Sequence, residues 1–399
     1  MDKRLPPLLV AVFINIAGFS LILPLLPFYG QVFGAGSFEV ALLFAAYSLG
    51  NVFGEIHWGR QSDSWGRRKV LAVTTACAAV SYVAFAFAPN LWLAILIRIV
   101  SGFFSGTLGV CTGFIADVSP PERRAKTMGY FGAAFSLGLA FGPVLGGLFA
   151  GDEIALASFR APILIAGGLS ALAALWNLLV LRDAVPPTGK GVPLPRYHEG
   201  IVFVGASPLL TRLFVISFFG IAMFASMEAV YGLWSEVNFG WSAKELGLAF
   251  LALGTGGLIA QLVLIGPLVA RYGEPRVIVI GLALLALSML LQPVIRLPLT
   301  GVLLMGLLMT GHSLAFPSAG ALISRNTPPD RQGGVMGLLM ASNALGRIIV
   351  PPAFGLIYGS FGHDTPWYLG AALIGLVGLL AWQTVRLSDR ARAAPAGAA

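Results

Sequence analysis

Twelve runs of about twenty predominantly apolar residues occupy nearly the whole chain, and each is long enough to cross a bilayer as one helix. With 57% hydrophobic and 11% charged residues, the composition is too apolar for a soluble globular protein of 399 residues. We therefore predict an all-α membrane protein with twelve transmembrane helices. The runs begin near residues 8, 39, 70, 91, 126, 160, 209, 243, 277, 298, 333 and 367.

The polar connections between these segments are short. The longest extends from about Arg182 to Ser207, which leaves no room for a separate catalytic or nucleotide-binding domain. The chain has neither a glycine-rich loop ending in Lys-Ser or Lys-Thr nor a His-Glu-x-x-His motif, and Cys77 and Cys111 match no metal spacing. We expect no enzyme activity, no cofactor and no metal site, and an ion gradient as the energy source in place of ATP.

Basic residues are distributed unequally between the two sides of the membrane. With an even number of helices both termini lie on one side, and that side carries twenty Lys and Arg residues against three on the other. By the positive-inside rule, this asymmetry predicts that both termini are cytoplasmic. The basic residues behind the net charge of +8 then set the orientation in the membrane and contact anionic head groups. We therefore expect membrane lipid, and no nucleic acid, as a partner.

A glycine and proline run in the fifth segment recurs in the eleventh. The first copy consists of Gly129, Gly138, Gly142, Pro143, Gly146 and Gly147. Adding 208 to these positions gives Gly337, Gly346, Val350, Pro351, Phe354 and Gly355. Gly138, Gly142 and Gly146 recur every four residues, so they line one helix face and let a neighbouring backbone approach closely. Pro143 weakens the backbone ladder beside them and permits a bend.

This duplication divides the chain into two pseudo-symmetric six-helix halves. We predict an N-terminal half at residues 1–181, a proline-rich cytoplasmic linker at 182–207 and a C-terminal half at 208–399. The loop from Gly59 to Arg67 aligns with Gly266 to Glu274 at an offset of 207, and Ala270 stands in the second copy where the first has Asp63. Parallel repeats of this kind occur in secondary transporters that hold substrate near the midplane between the halves.

Taken together, several motifs resemble the major facilitator superfamily over the whole chain. The fifth-segment run matches the motif of its drug/proton antiporter branch, and the first-segment stretch from Gly18 to Pro24 with Pro27 matches another motif of the twelve-span members. The stretch Phe114-Ile-Ala-Asp117 is similar to bacterial tetracycline exporters. The remaining matching residues are Gly59, Asp63, Gly66, Arg67, Arg68 and Lys69 between the second and third segments, and Arg98 and Gly102 in the fourth.

The resemblance implies the major facilitator fold in a multi-pass protein of the bacterial inner membrane. It implies export of a small amphipathic compound, with tetracycline-like drugs among the candidates, in exchange for protons by alternating access. It also implies that the fifth-segment run seals the exporter and sets its bending. We expect the loop from Gly59 to Lys69 to be a cytoplasmic gate in which Asp63 caps or pairs across that face. The resemblance further implies that Arg67 or Arg68 meets Asp117 and stabilises the state closed to the cytoplasm.

Four ionisable residues lie inside apolar segments, where a charge costs about 2.5 to 3.5 kcal/mol on insertion scales. They are Arg98, Glu228, His312 and Arg347. Glu228 is the only acid clearly inside a segment, so it is the first candidate for the proton carrier, with a static ion pair to an arginine as the alternative. His312 could titrate near neutrality or be an ordinary core histidine. Arg98 either takes part in proton coupling or is hydrogen-bonded to neighbouring carbonyls.

The first, fourth, seventh and tenth segments are the family's cavity helices. Candidate residues for the substrate cavity are Asn15, Arg98, Glu228, Tyr231, His312, Phe316, Asn343 and Arg347. Tetracycline exporters carry an acid where this chain has Asn15. Because asparagine cannot bind and release a proton, a mechanism centred on an acid at that position cannot be transferred to this chain. Glu55 and His57 lie two residues apart at the inner end of the second segment, and we interpret them as interfacial polar residues.

Two alternative functions stay open. An organic-anion or metabolite transporter of the same fold would use Arg98 and Arg347 to hold a carboxylate or phosphate, although the complete fifth-segment motif favours the exporter. A membrane receptor or scaffold that transports nothing would leave the charges inside the segments unexplained. For the exporter we expect a monomer whose partners are a small-molecule substrate, protons and membrane lipid.

Overall fold

The computed structural model describes residues 3–151, 153–183, 197–328 and 331–393. Across these residues it has no strand and contains twelve helices long and apolar enough to cross a membrane, which confirms the predicted all-α architecture. Helices α1 to α12 are Leu5–Val32, Ser37–Trp65, Arg67–Ala86, Leu91–Val118, Thr127–Phe149, Leu156–Leu179, Pro208–Phe239, Ala243–Tyr272, Glu274–Leu291, Pro298–Arg325, Gln332–Phe361 and Thr365–Val385. A linker helix, Tyr197–Ala206, precedes α7, whereas residues 184–196 of the predicted linker lie outside the described residues.

Two helices are interrupted where the sequence weakens the backbone ladder. Helix α1 contains a 3-10 turn at Leu23–Leu25, beside two prolines that cannot donate a backbone hydrogen bond. Helix α4 consists of Leu91–Phe104 and Leu108–Val118, separated by three non-helical residues with Gly106 in the middle. The second part of α4 therefore begins inside the membrane, where its first N–H groups need partners other than water.

The packing of the helices follows the sequence duplication. In the first six helices, α1 packs on α5 and α6, α2 on α4, and α3 on α6; the corresponding pairs in the last six are α7 with α11 and α12, α8 with α10, and α9 with α12. The two sets meet through α2 against α11 and α5 against α8, which are also equivalent pairs. Because there are twelve crossings in the described chain, Leu5 and Val385 lie on one face, here called the terminus face.

The glycine run of α5 lies on one helix face, as its spacing predicts, and this face packs against α1. A Cβ at Gly142 would meet the hydroxyl of Ser20 and backbone atoms of Ala17 and Leu21, and one at Gly146 would meet only the backbone of Leu21. The buried Ser20 Oγ donates to the carbonyl of Gly138 at 3.0 Å. Helices α1 and α5 thus approach at backbone contact, which a side chain at these positions would prevent.

The second copy of the run packs less closely. A Cβ at Gly346 would lie 3.1 Å from Cβ of Ala222 and 3.2 Å from the carbonyl of Phe218, both on α7. The next two equivalent positions carry the side chains of Val350 and Phe354, and Phe354 is buried. The loss of two glycines in the second copy therefore leaves α11 and α7 separated by side chains, in contrast to α5 and α1.

Candidate functional site

A cavity lies among the first six helices and extends from the middle of the membrane to the terminus face. It encloses about 1000 Å³ of space, part of it continuous with solvent. Three of its lining residues, Leu8, Leu71 and Asn177, lie within about one turn of the terminus-face ends of α1, α3 and α6. Among the described residues, Arg347 of α11 is the one lining residue contributed by the last six helices.

The cavity wall is mainly apolar and aromatic, with a few polar side chains. Its polar members are Asn15, Asn51, Glu55, Thr75, Ser105, Thr107, Asn177 and Arg347, and its aromatic members are Phe19, Tyr47, Tyr82, Phe131 and Phe135. A concave site of this composition suits an amphipathic small molecule, because apolar surface supplies contact area and a few polar groups fix its orientation.

On the opposite face, contacts between the two sets of helices close the route to the cavity. The hydroxyl of Ser37 on α2 donates to the carbonyl of Gly355 on α11 at 2.6 Å. A Cβ at Gly147 of α5 would lie 2.8 Å from the carbonyl of Ala243 on α8, so these helices touch through their backbones. The cavity is consequently accessible from the terminus face.

One face of α2 supports the interruption in α4. Glu55 accepts hydrogen bonds from the backbone N–H groups of Leu108 at 3.1 Å and Gly109 at 2.9 Å. One turn before it, Asn51 donates to Ser105 Oγ at 3.1 Å. The Glu55 carboxylate thereby caps the second part of α4, where two orphan N–H groups and the positive end of the helix dipole favour an anion.

The interpretation of Glu55 as an interfacial residue is therefore wrong, since its side chain lines the cavity. His57, two residues later on another face of α2, is exposed and lies against Trp58. The sequence does contain a signal for this arrangement. Asn51 and Glu55 are four residues apart and share a helix face, and the α4 stretch that they contact contains Ser105, Gly106 and Thr107.

Arg98 lies one layer behind the cavity wall. It is 2% exposed, and its Nε donates to the carbonyl of Leu43 at 3.3 Å. The guanidinium carbon lies 4.5 Å from the centroid of the Tyr47 ring, which does line the cavity. The Nη1 atom of Arg98 has no hydrogen-bond partner among the described residues. Arg98 is thus buried against α2 and contacts the cavity through Tyr47.

Arg347 connects the cavity with Glu228. Glu55 and Glu228 both interact electrostatically with the Arg347 guanidinium, and Arg98 acts on Glu228 more weakly. In the described part of the chain, no ion pair within 4 Å joins Glu228 to either arginine. The four charges therefore form a spaced network across the middle of the membrane rather than closed salt bridges.

The other predicted cavity residues lie outside the cavity wall. His312 lies against Phe224 and Phe316 in tilted orientations, with ring centroids 4.4 and 4.3 Å away, and its Nε2 has no partner among the described residues. Asn343 is one turn before Arg347, with a buried Oδ1 that has no partner in the described residues. Of the eight candidates, the structure brings Asn15 and Arg347 to the cavity surface.

Tyr231 belongs to a separate aromatic cluster near the opposite face. Its ring is fully buried and lies 6.2, 6.1 and 6.0 Å from the rings of Trp234, Trp241 and Trp367. Trp234 Nε1 donates to Asp364 at 2.8 Å, and Asp364 also pairs with Arg296. This cluster fills the space between α7 and α12, so Tyr231 has a packing environment and no access to the cavity.

The loop between α2 and α3 is centred on Arg67. Arg67 pairs with Asp63 at 2.7 Å and with Asp117, at the end of α4, at 3.2 Å. Arg68 instead donates from its side chain to the carbonyl of Leu178 at 3.0 Å, at the end of α6. Of the two arginines that the sequence offered as partners of Asp117, Arg67 is the one in contact.

The two glycines of this loop differ in their surroundings. Gly66 has φ of 94°, a conformation that strongly favours glycine, and it permits α3 to begin immediately after α2 ends. A Cβ at Gly59 would meet no other atom within 4 Å. The same holds for Gly129 at the terminus-face end of the α5 run. Only Gly66 of these three is therefore required by local geometry.

The helix pairing and the one-sided cavity define a multi-pass membrane transporter. The sequence profile of the Major Facilitator Superfamily matches residues 8–237 and 213–399, so the chain belongs to this superfamily. It is 30% identical to the class C tetracycline resistance protein of Escherichia coli, over 93% of this chain and 94% of that protein. It is 31% identical to the class D protein of Salmonella ordonez, over 94% and 96% respectively.

A solved structure adds to the comparison of folds. The crystal structure of a human organic anion transporter superposes with a TM-score of 0.70 and 21% sequence identity, covering 95% of this chain and 98% of that one. This similarity supports the fold alone.

Proposed function

We propose that the protein exports small amphipathic compounds in exchange for protons, by alternating access across the bacterial inner membrane. The observation that carries the proposal is the cavity: it is largely apolar and aromatic, it has few polar groups, and it reaches the middle of the membrane from one face only. The relatives named for tetracycline resistance align with more than nine-tenths of this chain, which favours a drug as the substrate.

We infer that the terminus face is cytoplasmic and that the protein acts as a monomer. The excess of basic residues on that face supports the orientation. Substrate would then enter the cavity from the cytoplasm, and residues 1–181 and 208–399 would move as two units connected by the 182–207 linker. The paired α2/α11 and α5/α8 contacts are the surfaces along which such units would rock.

We assign the proton to Glu228 in preference to His312. Glu228 is the acid that faces two arginines across the middle of the membrane without a closed salt bridge. Its protonation would therefore not leave a buried arginine without its ion-pair partner. His312 lies against the rings of Phe224 and Phe316, which offer no counter-charge. Proton transfer at Glu228 would alter the field at Arg347, which touches the cavity.

The loop centred on Arg67 and the glycine run of α5 would control the conformational change. The Arg67 contacts with Asp63 and Asp117 hold together the terminus-face ends of α2, α3 and α4. Backbone contact between α5 and α1, and between α5 and α8, would exclude water and protons on the opposite face while the cavity is loaded.

The test is uptake by purified protein in liposomes with an imposed pH gradient, assayed against tetracycline and a panel of antibiotics and dyes. Gradient-driven uptake of at least one amphipathic compound is expected, together with loss of coupling in Glu228→Gln. The proposal fails if no compound is moved by the gradient. Full coupling in Glu228→Gln would leave export standing but remove Glu228 as the carrier.

A second candidate is organic-anion transport. It is favoured by Arg98 and Arg347, two mid-membrane cations that have no carboxylate within 4 Å among the described residues. An anion carrier would lose substrate binding in Arg347→Gln, because the charge-assisted contact to the ligand would vanish. An exporter of cationic or neutral drugs would keep its binding in this variant.

A further inference from the structure

The carboxylate of Glu55 has two environments at once. It lines the cavity, where it is the one negatively charged side chain among the described lining residues. It also caps the second part of α4 through the N–H groups of Leu108 and Gly109. A group that draws the carboxylate away from α4 and into the cavity would therefore break the cap.

The helix that Glu55 caps connects the cavity with the loop on the terminus face. Its first residues, Leu108 and Gly109, are held by Glu55, and its last turn carries Asp117, which pairs with Arg67. This segment has eleven residues and no internal proline. Because a short unbroken helix moves as a unit, a displacement of the end that Glu55 caps is transmitted to the end that carries Asp117.

We propose that Glu55 is a binding site for the cationic group of the substrate, and that occupation of this site releases the cap on the second part of α4 and so loosens the Arg67–Asp117 junction. This inference rests on the proposed transport of amphipathic compounds and adds the charge class. The aromatic wall around Phe19 and Tyr47 takes the apolar body, and Glu55 selects a positive charge.

The other charge at the cavity surface is the cation Arg347. Arg347 lies far enough from Glu55 that no ion pair within 4 Å forms between them among the described residues, although the two interact electrostatically. A ligand cation at Glu55 would therefore not have to break a salt bridge, only the two backbone hydrogen bonds of the cap. Molecules that carry a single negative charge would instead meet repulsion from Glu55.

The test measures equilibrium binding without a pH gradient, by calorimetry on purified protein in detergent. Ethidium is the cationic probe and chloramphenicol the neutral one. Glu55→Gln should weaken ethidium binding about tenfold or more, since the attraction between the carboxylate and the ligand cation is lost, and should weaken chloramphenicol binding much less. Glu55→Asp, which keeps the charge, should retain most of the ethidium affinity.

Glu245→Gln is the matched control. Glu245 also caps a helix, accepting from the N–H of Ser242 at 2.9 Å, but at the opposite-face end of α8 and away from the cavity. This variant should bind both probes like the wild type. If Glu55→Gln weakened both probes equally, Glu55 would have only a structural role and the proposal would be overturned. Failure of the wild type to bind ethidium would overturn it as well.

Hydrogen exchange measures the second part of the proposal. Ethidium should accelerate exchange of the Leu108 and Gly109 amides in the wild type, whereas chloramphenicol should not. In Glu55→Gln these amides should exchange quickly with or without ethidium. Unchanged or slower exchange with ethidium in the wild type would refute release of the cap. Since no gradient is used, cation binding at Glu55 without gradient-driven uptake would reject the exporter and not this site.

Discussion

The close approach of α1 and α5 can be tested with a single methyl group. Gly142→Ala would place a Cβ against the Ser20 hydroxyl and, more importantly, against backbone atoms of Ala17 and Leu21. The hydroxyl can rotate away, but the backbone cannot, so the two helices would have to separate or tilt. The matched control is Gly129→Ala in the same helix and the same glycine run, where a Cβ meets no atom within 4 Å.

The expected size follows from comparing these two variants. Alanine exceeds glycine in helix propensity by about 0.5 to 1 kcal/mol, and this gain is common to both sites. Inserting a methyl group into a closely packed site costs about 1 to 3 kcal/mol. The free energy of unfolding of Gly142→Ala should thus lie about 1 to 3 kcal/mol below that of Gly129→Ala, because the propensity gain cancels in the difference.

The assay is reversible unfolding of both variants in mixed micelles of a mild detergent and dodecyl sulphate, followed by circular dichroism. Adding Ser20→Ala to Gly142→Ala should recover part of the loss, because one of the three clashing atoms is removed. The same addition to Gly146→Ala should recover little, since the three atoms nearest to a Cβ at Gly146 all belong to the Leu21 backbone. Equal stability of Gly142→Ala and Gly129→Ala would refute backbone contact between α1 and α5.

Two further predictions concern ion pairs at the terminus face, and a third concerns Gly66 beside the first of these pairs. A double-mutant cycle of Arg67→Gln and Asp117→Asn should give a coupling of about 1 kcal/mol by the same unfolding assay, above an exposed pair because both side chains are largely covered; zero coupling would contradict the junction. Arg325→Gln should destabilise more than Glu274→Gln, since Glu274 is buried and would be left as an unpaired carboxylate; the reverse order would contradict this. Gly66→Ala should cost about 1 to 3 kcal/mol through its positive φ, and an unaffected unfolding midpoint would refute the strain.

The twelve helices could be predicted because hydrophobic length is a property of local sequence. A run of apolar residues near 20 in number has few alternatives to a membrane helix, and the observed helices begin within a few residues of the predicted starts. The face of the glycine run was predictable for a similar reason, since a spacing of four residues determines which side of the helix Gly138, Gly142 and Gly146 share.

The cavity was predicted less well, because its composition depends on which helices meet and where they break. Tyr231 shares its helix with Glu228 and lies one turn away, yet it is packed against Trp234 of the same helix and Trp367 of α12. Glu55 was assigned to the interface by its distance from the end of α2. Its real environment depends on the interruption of α4, which a hydropathy pattern does not reveal because the helical parts Leu91–Phe104 and Leu108–Val118 on either side of it are both predominantly apolar.

In the two halves, equivalent helix ends are joined by ion pairs in which the acid and the base have exchanged places. Arg67 and Asp117 join the start of α3 to the end of α4, and at offsets of 207 and 208 Glu274 and Arg325 join the start of α9 to the end of α10. The second pair agrees with both helix dipoles, having an acid at a helix start and a base at a helix end, whereas the first pair opposes both.

Each such placement changes the energy by about 0.3 to 1 kcal/mol, so reversing the signs of two charges at helix ends makes the first junction weaker than the second by about 1 to 4 kcal/mol. Asp63 partly offsets this difference by giving Arg67 a second carboxylate. Under the proposed alternating-access cycle, the more weakly held junction of the first half is the one that we expect to open. It is also the half in which the α4 segment ending at Asp117 begins at Glu55, at the surface of the cavity.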